Sequence, residues 1–305
     1  MKTAFIFAGQ GTQYVGMGKS LYEASEDAAE LFDNSLGSVL KEICFNGPEE
    51  ALRDTANAQP CIVTCSIAAA RELEKRGVKC DYAAGLSLGE YSALAYAKAM
   101  TVDDAIDIVK QRGVIMSEAL SEGTSAMAAV MGASLDMIED VICQAGGVLE
   151  IANYNSPKQI VITGEAESLD RAIVLFKDRK VRCIKLNVSG AFHCSLLKEA
   201  GRKLRKVIDK YELHSPEIPV VFNASGKVED SNLSEILERQ IQSSVKFMQS
   251  IEYMIEEGVD TFIEIGPGRV LSGFIRQIDK NVRVFAVDGF DTIERTVELI
   301  NEQDR

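Results

Sequence analysis

The chain has 305 residues, 46% of them hydrophobic, and a formal net charge of −13 at pH 7. That length and apolar fraction suit one large α/β domain, or a large domain plus a small one. The acidic balance argues against general nucleic-acid binding, and no run approaches the ~18 apolar residues of a membrane helix.

The N-terminal stretch Thr3-Ala4-Phe5-Ile6-Phe7 is too short for a signal peptide and leads directly into Gly9-Gln10-Gly11. It reads as a first core strand over Lys2–Phe7, in a cytoplasmic protein. The spacing predicts a helix over Gln59–Arg76, with Ala68, Ala69 and Ala70 facing a close neighbour. A strand over Tyr82–Ala84 and a helix over Leu88–Ala97 follow. Thr101-Val102-Asp103-Asp104 has the Ser/Thr-x-x-acid form of a helix cap, opening a helix to about Leu120. Such alternation predicts a mostly parallel sheet covered on both faces.

From about Gly123 to Gly190 the pattern changes. Strands over Ser125–Met131, Val148–Tyr154, Gln159–Thr163 and Val181–Leu186 are interleaved with helices over Leu135–Ala145 and Leu169–Asp178. That β-α-β-β-α-β order is the ferredoxin-like unit. We expect residues 123–190 to form a compact insert between two segments of the larger domain, 1–122 and 191–305. A helix from about Ser195 to Tyr211 leads back to the large domain. Strands near Val220–Phe222, Thr261–Ile265 and Arg283–Ala286 complete it, with helices between and after them. The seven cysteines make no Cys-x-x-Cys pair and read as reduced, mostly buried thiols.

The strongest chemical signal is Gly85-Leu86-Ser87-Leu88-Gly89, where a short strand runs into an Ala-rich helix. A serine on so sharp a turn needs small neighbours, and Gly85 and Gly89 supply the room. The turn exposes the Ser87 hydroxyl and aims the first amides of the helix at whatever reacts with it. This suits acyl transfer through a serine ester. A serine hydroxyl needs a base, and the chain holds only His193 and His214. His214 lies in a polar helix end and reads as a surface residue. His193 lies in a Gly-broken loop and is the candidate base. Cys194 beside it is a poor nucleophile candidate, because adjacent side chains point apart. The tetrahedral oxyanion needs backbone donors: Leu88 supplies one, and Gln10 in the Gly-rich loop after the first strand is the candidate for the second. Two histidines without an acid or cysteine cluster make a poor ligand set, so no metal and no bound cofactor is expected.

Several segments together resemble the malonyl-CoA:acyl-carrier-protein transacylases. They are Gly9-Gln10-Gly11-Thr12-Gln13, Gly85-Leu86-Ser87-Leu88-Gly89-Glu90, Gln111-Arg112, Glu122-Gly123-Thr124-Ser125-Ala126-Met127, the run from Asn153 to Gly164, Gly190-Ala191-Phe192-His193 and Glu264-Ile265-Gly266-Pro267-Gly268. They keep that family's order and span nearly the whole chain. The resemblance implies an α/β hydrolase-like core carrying a ferredoxin-like insert. It implies that Ser87 takes malonyl from malonyl-CoA and that His193 is its base and then acid. It implies that the amides of Gln10 and Leu88 form the oxyanion hole and that a main-chain carbonyl, by position that of Gln240, orients the histidine. Arg112 would pair with the malonyl carboxylate; on its own pattern a mid-helix arginine reads as a surface ion pair. Most members have His where this chain has Leu86. In relatives a bulky residue at the position of Phe192 goes with malonyl rather than α-methylated units, since a ring leaves little room for an added methyl.

The implied product is malonyl on the phosphopantetheine thiol of an acyl carrier protein, for fatty-acid synthesis. Three alternatives stand beside it: an acyltransferase of a polyketide-type pathway, a serine thioesterase on the same turn, and a non-catalytic carrier-binding subunit. Residues 176–210 hold eleven Lys or Arg against three acids, a local excess of +8. They are either a solvated helix face or the landing zone for an acidic, phosphate-bearing partner such as the carrier protein.

Overall fold

The computed structural model describes residues 1–121, 123–188 and 190–303. Glu122, the expected end of the first core segment, and Ser189, in the histidine loop, lie outside the described residues. The first part of the chain folds as β1 (Thr3–Phe7), α1 (Lys19–Ala24), α2 (Glu26–Asn46, interrupted at Gly37), α3 (Glu49–Arg53), α4 (Thr55–Lys75), β2 (Tyr82–Gly85), α5 (Gly89–Tyr96) and α6 (Val102–Glu118). The middle holds β3 (Ser125–Met131), α7 (Leu135–Ala145), β4 (Leu149–Ser156), β5 (Gln159–Glu165), α8 (Ala166–Asp178) and β6 (Arg182–Lys185). The last part holds α9 (Lys198–Ile208), β7 (Val220–Val221), α10 (Leu233–Ile241), α11 (Phe247–Glu256), β8 (Thr261–Ile265), α12 (Val270–Ile278), β9 (Arg283–Val287) and α13 (Phe290–Gln303).

Five strands form a parallel sheet in the order β7-β2-β1-β8-β9. Every residue of β1 and β8 is buried, as expected for central strands covered on both faces. The register pairs Phe7 with both Gly85 and Ile265. Three strands therefore end level, and the loops after β1, β2 and β8 meet at the carboxyl edge, where open α/β sheets bind ligands.

The second sheet is antiparallel, in the order β4-β5-β3-β6. With its two helices it is the β-α-β-β-α-β unit read from the sequence. Side chains alternate along β3. Ala126, Ala128 and Val130 pack with Ile138, Leu169 and Phe176 into a core of the small sheet's own, while Met127 and Ala129 join the main core. The small sheet is tied to the segment between α10 and α11 by backbone bonds from Tyr154 N to Val245 O (2.9 Å) and from Val245 N to Ala152 O (2.7 Å).

The structure differs from expectation in places. The helix placed at Gln59 begins at Thr55, because the Asp54 side chain caps it by accepting from Ala56 N at 2.8 Å. Pro60, favoured near a helix start, instead falls inside it. The helix placed over Ser195–Tyr211 is a 3-10 turn at Ser195–Leu197 followed by α9. The Thr101 cap forms, its hydroxyl accepting from Asp104 N at 3.1 Å. Among the described residues no helix is long and apolar enough to cross a membrane.

The turn between β2 and α5 is packed tightly, backbone against backbone. A Cβ on Gly85 would lie 2.0 Å from the carbonyl carbon of Gly89, and one on Gly89 would lie 2.1 Å from Phe7 O. Both obstacles are backbone and cannot swing aside. Gly273, on α12, has open space around the same position. Gly89→Ala is therefore expected to lower the unfolding free energy by about 3 kcal/mol. Gly273→Ala is expected to leave it unchanged or raise it by up to ~1 kcal/mol. Urea denaturation of the two variants checks both signs.

Candidate active site

Ser87 has φ 52°, in the left-handed region that a residue with a Cβ rarely occupies. Its Oγ lies 2.7 Å from Nε2 of His193, although 106 positions separate the two residues. His193 also has a positive φ, 59°, and is buried. Its Nδ1 lies 3.0 Å from the carbonyl oxygen of Gln240. A carbonyl oxygen only accepts, so the imidazole proton belongs on Nδ1 and the Nε2 lone pair faces the serine hydroxyl. Burial, and then the Arg112 charge, push the His193 pKa down from 6.5 to about 4. The imidazole is thus neutral and able to take a proton.

Arg112 projects from α6 and is 1% exposed, which overturns the surface ion pair that its pattern alone suggested. Its Nη1 donates to Gln59 Oε1 at 3.0 Å. Its Nη2 donates to Ser87 Oγ at 3.0 Å and to Gln240 Oε1 at 3.4 Å. The guanidinium lies over the Tyr91 ring, 5.3 Å from its centroid. Among the described residues no carboxylate forms an ion pair with it. Its acidic neighbour Glu90 is fully buried, and burial pushes that carboxyl up to about 8. Among the described residues, the groups that hydrogen-bond or stack on the guanidinium are two glutamine amides, a serine hydroxyl and a tyrosine ring, all uncharged types.

A cavity of about 920 Å³ opens onto this group. Gln10, Leu86, Ser87, Arg112, Phe192 and His193 line it from the large-sheet side, and Met127 and Val161 from the small sheet. The loop carrying Gln10 abuts the serine turn, since a Cβ on Gly9 would lie 2.5 Å from Leu86 O. Among the described residues, the backbone N–H groups of Gln10 and Leu88 donate to no protein acceptor. Leu86 packs beside Phe274 in an apolar cluster.

All seven residues singled out from the sequence thus fall in or beside one cavity. Three buried residues not singled out touch the same group: Gln59, Tyr91 and Asn223. Gln59 links Arg112 to the Gln10 loop through Gln59 Nε2 to Gln10 Oε1 (3.2 Å). Its one sequence signal is an amide beside Pro60 in an otherwise apolar stretch. Asn223 accepts from Ser87 N at 2.6 Å, and nothing local marks it. His214 is solvent-exposed, and Cys194 is buried, with its thiol pKa raised by burial.

The acyl transferase domain family matches residues 4–289. A malonyl CoA-acyl carrier protein transacylase of Bacillus subtilis is 42% identical, with 99% of this chain and 98% of that protein covered. This chain belongs to the malonyl-CoA:acyl-carrier-protein transacylase family. The solved transacylase of Clostridium perfringens superposes with a TM-score of 0.96 at 43% identity, covering 100% of this chain and 98% of that one. A type II PKS acyl-carrier protein in complex with its malonyl-transacylase matches at TM-score 0.94 and 35% identity, covering 98% of this chain and all of the matched one.

Where the resemblance leads one to expect a histidine, the chain has Leu86. The dyad is complete without it, because both ring nitrogens of His193 already have partners. The position of Arg112 gives a titration test. Removing its charge by Arg112→Gln is expected to raise the His193 pKa from about 4 toward, but not to, 6.5, since burial remains the larger cause. An imidazole NMR titration of the two proteins measures the shift; identical titrations would contradict the assigned electrostatics.

Proposed function

We propose that this transacylase moves malonyl from malonyl-CoA to the phosphopantetheine thiol of an acyl carrier protein, through an ester on Ser87. One observation carries the reading: a buried guanidinium, without a carboxylate partner among the described residues, stands 3.0 Å from the candidate nucleophile. A guanidinium so placed can hold the distal carboxylate of a malonyl group by two parallel charge-assisted bonds.

In this reading His193 Nε2 takes the Ser87 proton as Oγ attacks the thioester carbonyl. Charge develops on the carbonyl oxygen, which the amides of Leu88 and Gln10 receive. Collapse breaks the C–S bond, and the imidazolium returns its proton to the departing CoA thiolate. The Gln240 carbonyl holds the ring throughout. The second half runs in reverse: His193 takes the proton of the carrier thiol, the thiolate attacks the Ser87 ester, and the serine recovers the proton. Phe192, on the cavity wall, restricts the space beside the α-carbon. The cycle as drawn uses malonyl-CoA as substrate and no resident cofactor. It belongs in the reducing cytoplasm, in keeping with seven free cysteines. Residues 1–122 and 191–305 then act as the catalytic core, and 123–190 as an insert that closes one wall of the cavity. Fatty-acid synthesis is the pathway assigned; the likeness to a type II PKS complex favours a polyketide-type carrier as the second reading.

For the carrier we assign the basic segment 176–210. Part of its charge is internally used: Arg179 pairs with Asp140, Lys185 with Asp170, Arg202 with Glu199, and Arg205 with Glu235 and Glu238. Lys198, Lys203, Lys206 and Lys210 remain exposed on and just after α9.

Two outcomes are expected. Incubation with malonyl-CoA gives the mass gain of a malonyl ester at Ser87, absent in Ser87→Ala. Arg112→Ala lowers kcat/KM for malonyl transfer by at least about 30-fold, the loss of ~2 kcal/mol of charged hydrogen bonding, with a far smaller effect on acetyl transfer. Equal losses for both acyl groups would remove the carboxylate role. Separately, reversing Arg202, Lys203 and Lys206 to Glu raises KM for the carrier protein, and added salt masks the difference. An effect on malonyl-CoA alone would reassign the patch.

A further inference from the structure

We propose that Asn223 is a positioning residue for the nucleophile: its side-chain amide clamps both sides of the Ser87 turn, and Glu90 holds Asn223 in place. This rests on the reading of Ser87 as the acyl carrier.

Asn223 stands just beyond β7 at the edge of the large sheet and is 1% exposed. Its Oδ1 accepts from Ser87 N at 2.6 Å, and its Nδ2 donates to Gly85 O at 2.7 Å. Those two groups flank Leu86, so one planar amide bridges the turn. The backbone N–H of Asn223 donates to Glu90 Oε2 at 2.6 Å. Glu90 is fully buried on the first turn of α5, three residues after the nucleophile. The ring closes: turn to Asn223 side chain, Asn223 main chain to α5, α5 back to the turn. On the far side, Gln240 Nε2 donates to Ser87 O at 2.8 Å. Side chains distant in sequence therefore hold both the N–H and the C=O of Ser87.

The physical need for this is the φ of 52° at Ser87. Such a conformation is strained for a residue with a Cβ and persists only where surrounding structure over-determines it. A relaxed Ser87 peptide would swing Oγ away from His193 and turn the Leu88 amide with it. Elsewhere in the chain, Lys98 and Lys180 also have φ near 60°. Their backbone N–H groups bond to main-chain carbonyls, Lys98 to Ala95 O at 3.2 Å and Lys180 to Lys177 O at 3.0 Å. At Ser87 the N–H bond comes from a buried side chain instead.

The test uses a fluorophosphonate probe, which acylates no partner and needs no malonyl recognition. In Asn223→Ala we expect the second-order labelling constant of Ser87 and kcat for malonyl transfer to fall together by about 10²-fold, with KM for malonyl-CoA little changed. Asn223→Asp separates positioning from bulk stability. A protonated carboxyl keeps one donor and one acceptor, whereas the ionised form keeps acceptors only. Its labelling rate relative to the unaltered protein is expected to rise as pH falls. Labelling of folded Asn223→Ala at the unaltered rate would overturn the clamp. If that variant does not fold, a pH-independent ratio for Asn223→Asp overturns it. Glu90→Gln, which keeps the acceptor for Asn223 N, is expected to label at nearly the unaltered rate, and Glu90→Ala to label more slowly. An unaltered protein that labels with the probe but takes no malonyl from malonyl-CoA sinks the functional reading, and the clamp is then judged on labelling alone.

Discussion

The site depends on how closely the backbone of the serine turn is pressed onto the end of β1. Gly89 lies under the Phe7 carbonyl and Gly85 against Gly89, with no room for a methyl group at either position. That contact fixes where α5 starts, and so where the Leu88 amide points. It also fixes the separation between the Ser87 turn and the Gln10 loop, because Phe7 and Gly85 are register partners. The two candidate oxyanion donors sit on the turns that follow two adjacent parallel strands ending level. Their spacing is a property of the sheet, which is the rigid kind of scaffold on which a preorganised site is best built.

On that scaffold the dominant electrostatic fact is an uncompensated cation. Arg112 is removed from water and given two glutamine oxygens, a serine hydroxyl and an aromatic face. None carries a charge, so the buried guanidinium retains an unfavourable solvation term of several kcal/mol. The same field helps to hold His193 neutral. When a carboxylate binds Arg112, that field is cancelled and the affinity of His193 for a proton rises. A malonyl substrate would thereby strengthen the base that attacks with it, whereas an acyl group without a carboxylate would not. In the proposed reading, selection against acetyl would then act on reactivity as well as on binding.

How much of this was legible in the sequence follows the range of each interaction. The serine turn is local, so Gly85, Ser87 and Gly89 announce it within five residues. The strand–helix alternation before Gly123 and the β-α-β-β-α-β order after it separate a parallel from an antiparallel sheet, because parallel neighbours need crossover helices whereas antiparallel ones can be joined by a short turn. His193 was found by elimination, there being one other histidine. Arg112 was not legible from its own pattern; the family resemblance alone drew attention to it, since a mid-helix arginine looks the same whether its helix faces water or a cavity. Gln59 and Asn223 were not found. Each acts through a partner 53 or 136 positions away, and no single sequence records such a pairing. The Thr55 helix start was missed although its signal is local: the cap is the Asp54 side chain, which accepts from Ala56 N.

The choice of a carbonyl rather than a carboxylate behind His193 now has a reason. In a Ser-His-Asp arrangement the acid orients the imidazole and stabilises the imidazolium. Here a carboxylate at the Gln240 position would stand near Arg112, whose Nη2 already reaches the Gln240 side chain at 3.4 Å. It would compete with the substrate for that guanidinium and would raise the pKa of His193 before any substrate arrived. A main-chain carbonyl fixes the tautomer at 3.0 Å without adding charge. In the proposed reading it would leave the cation for the acyl group and the base neutral until the acyl group binds. The weaker orienting group is therefore the one compatible with recognising a second carboxylate beside the nucleophile.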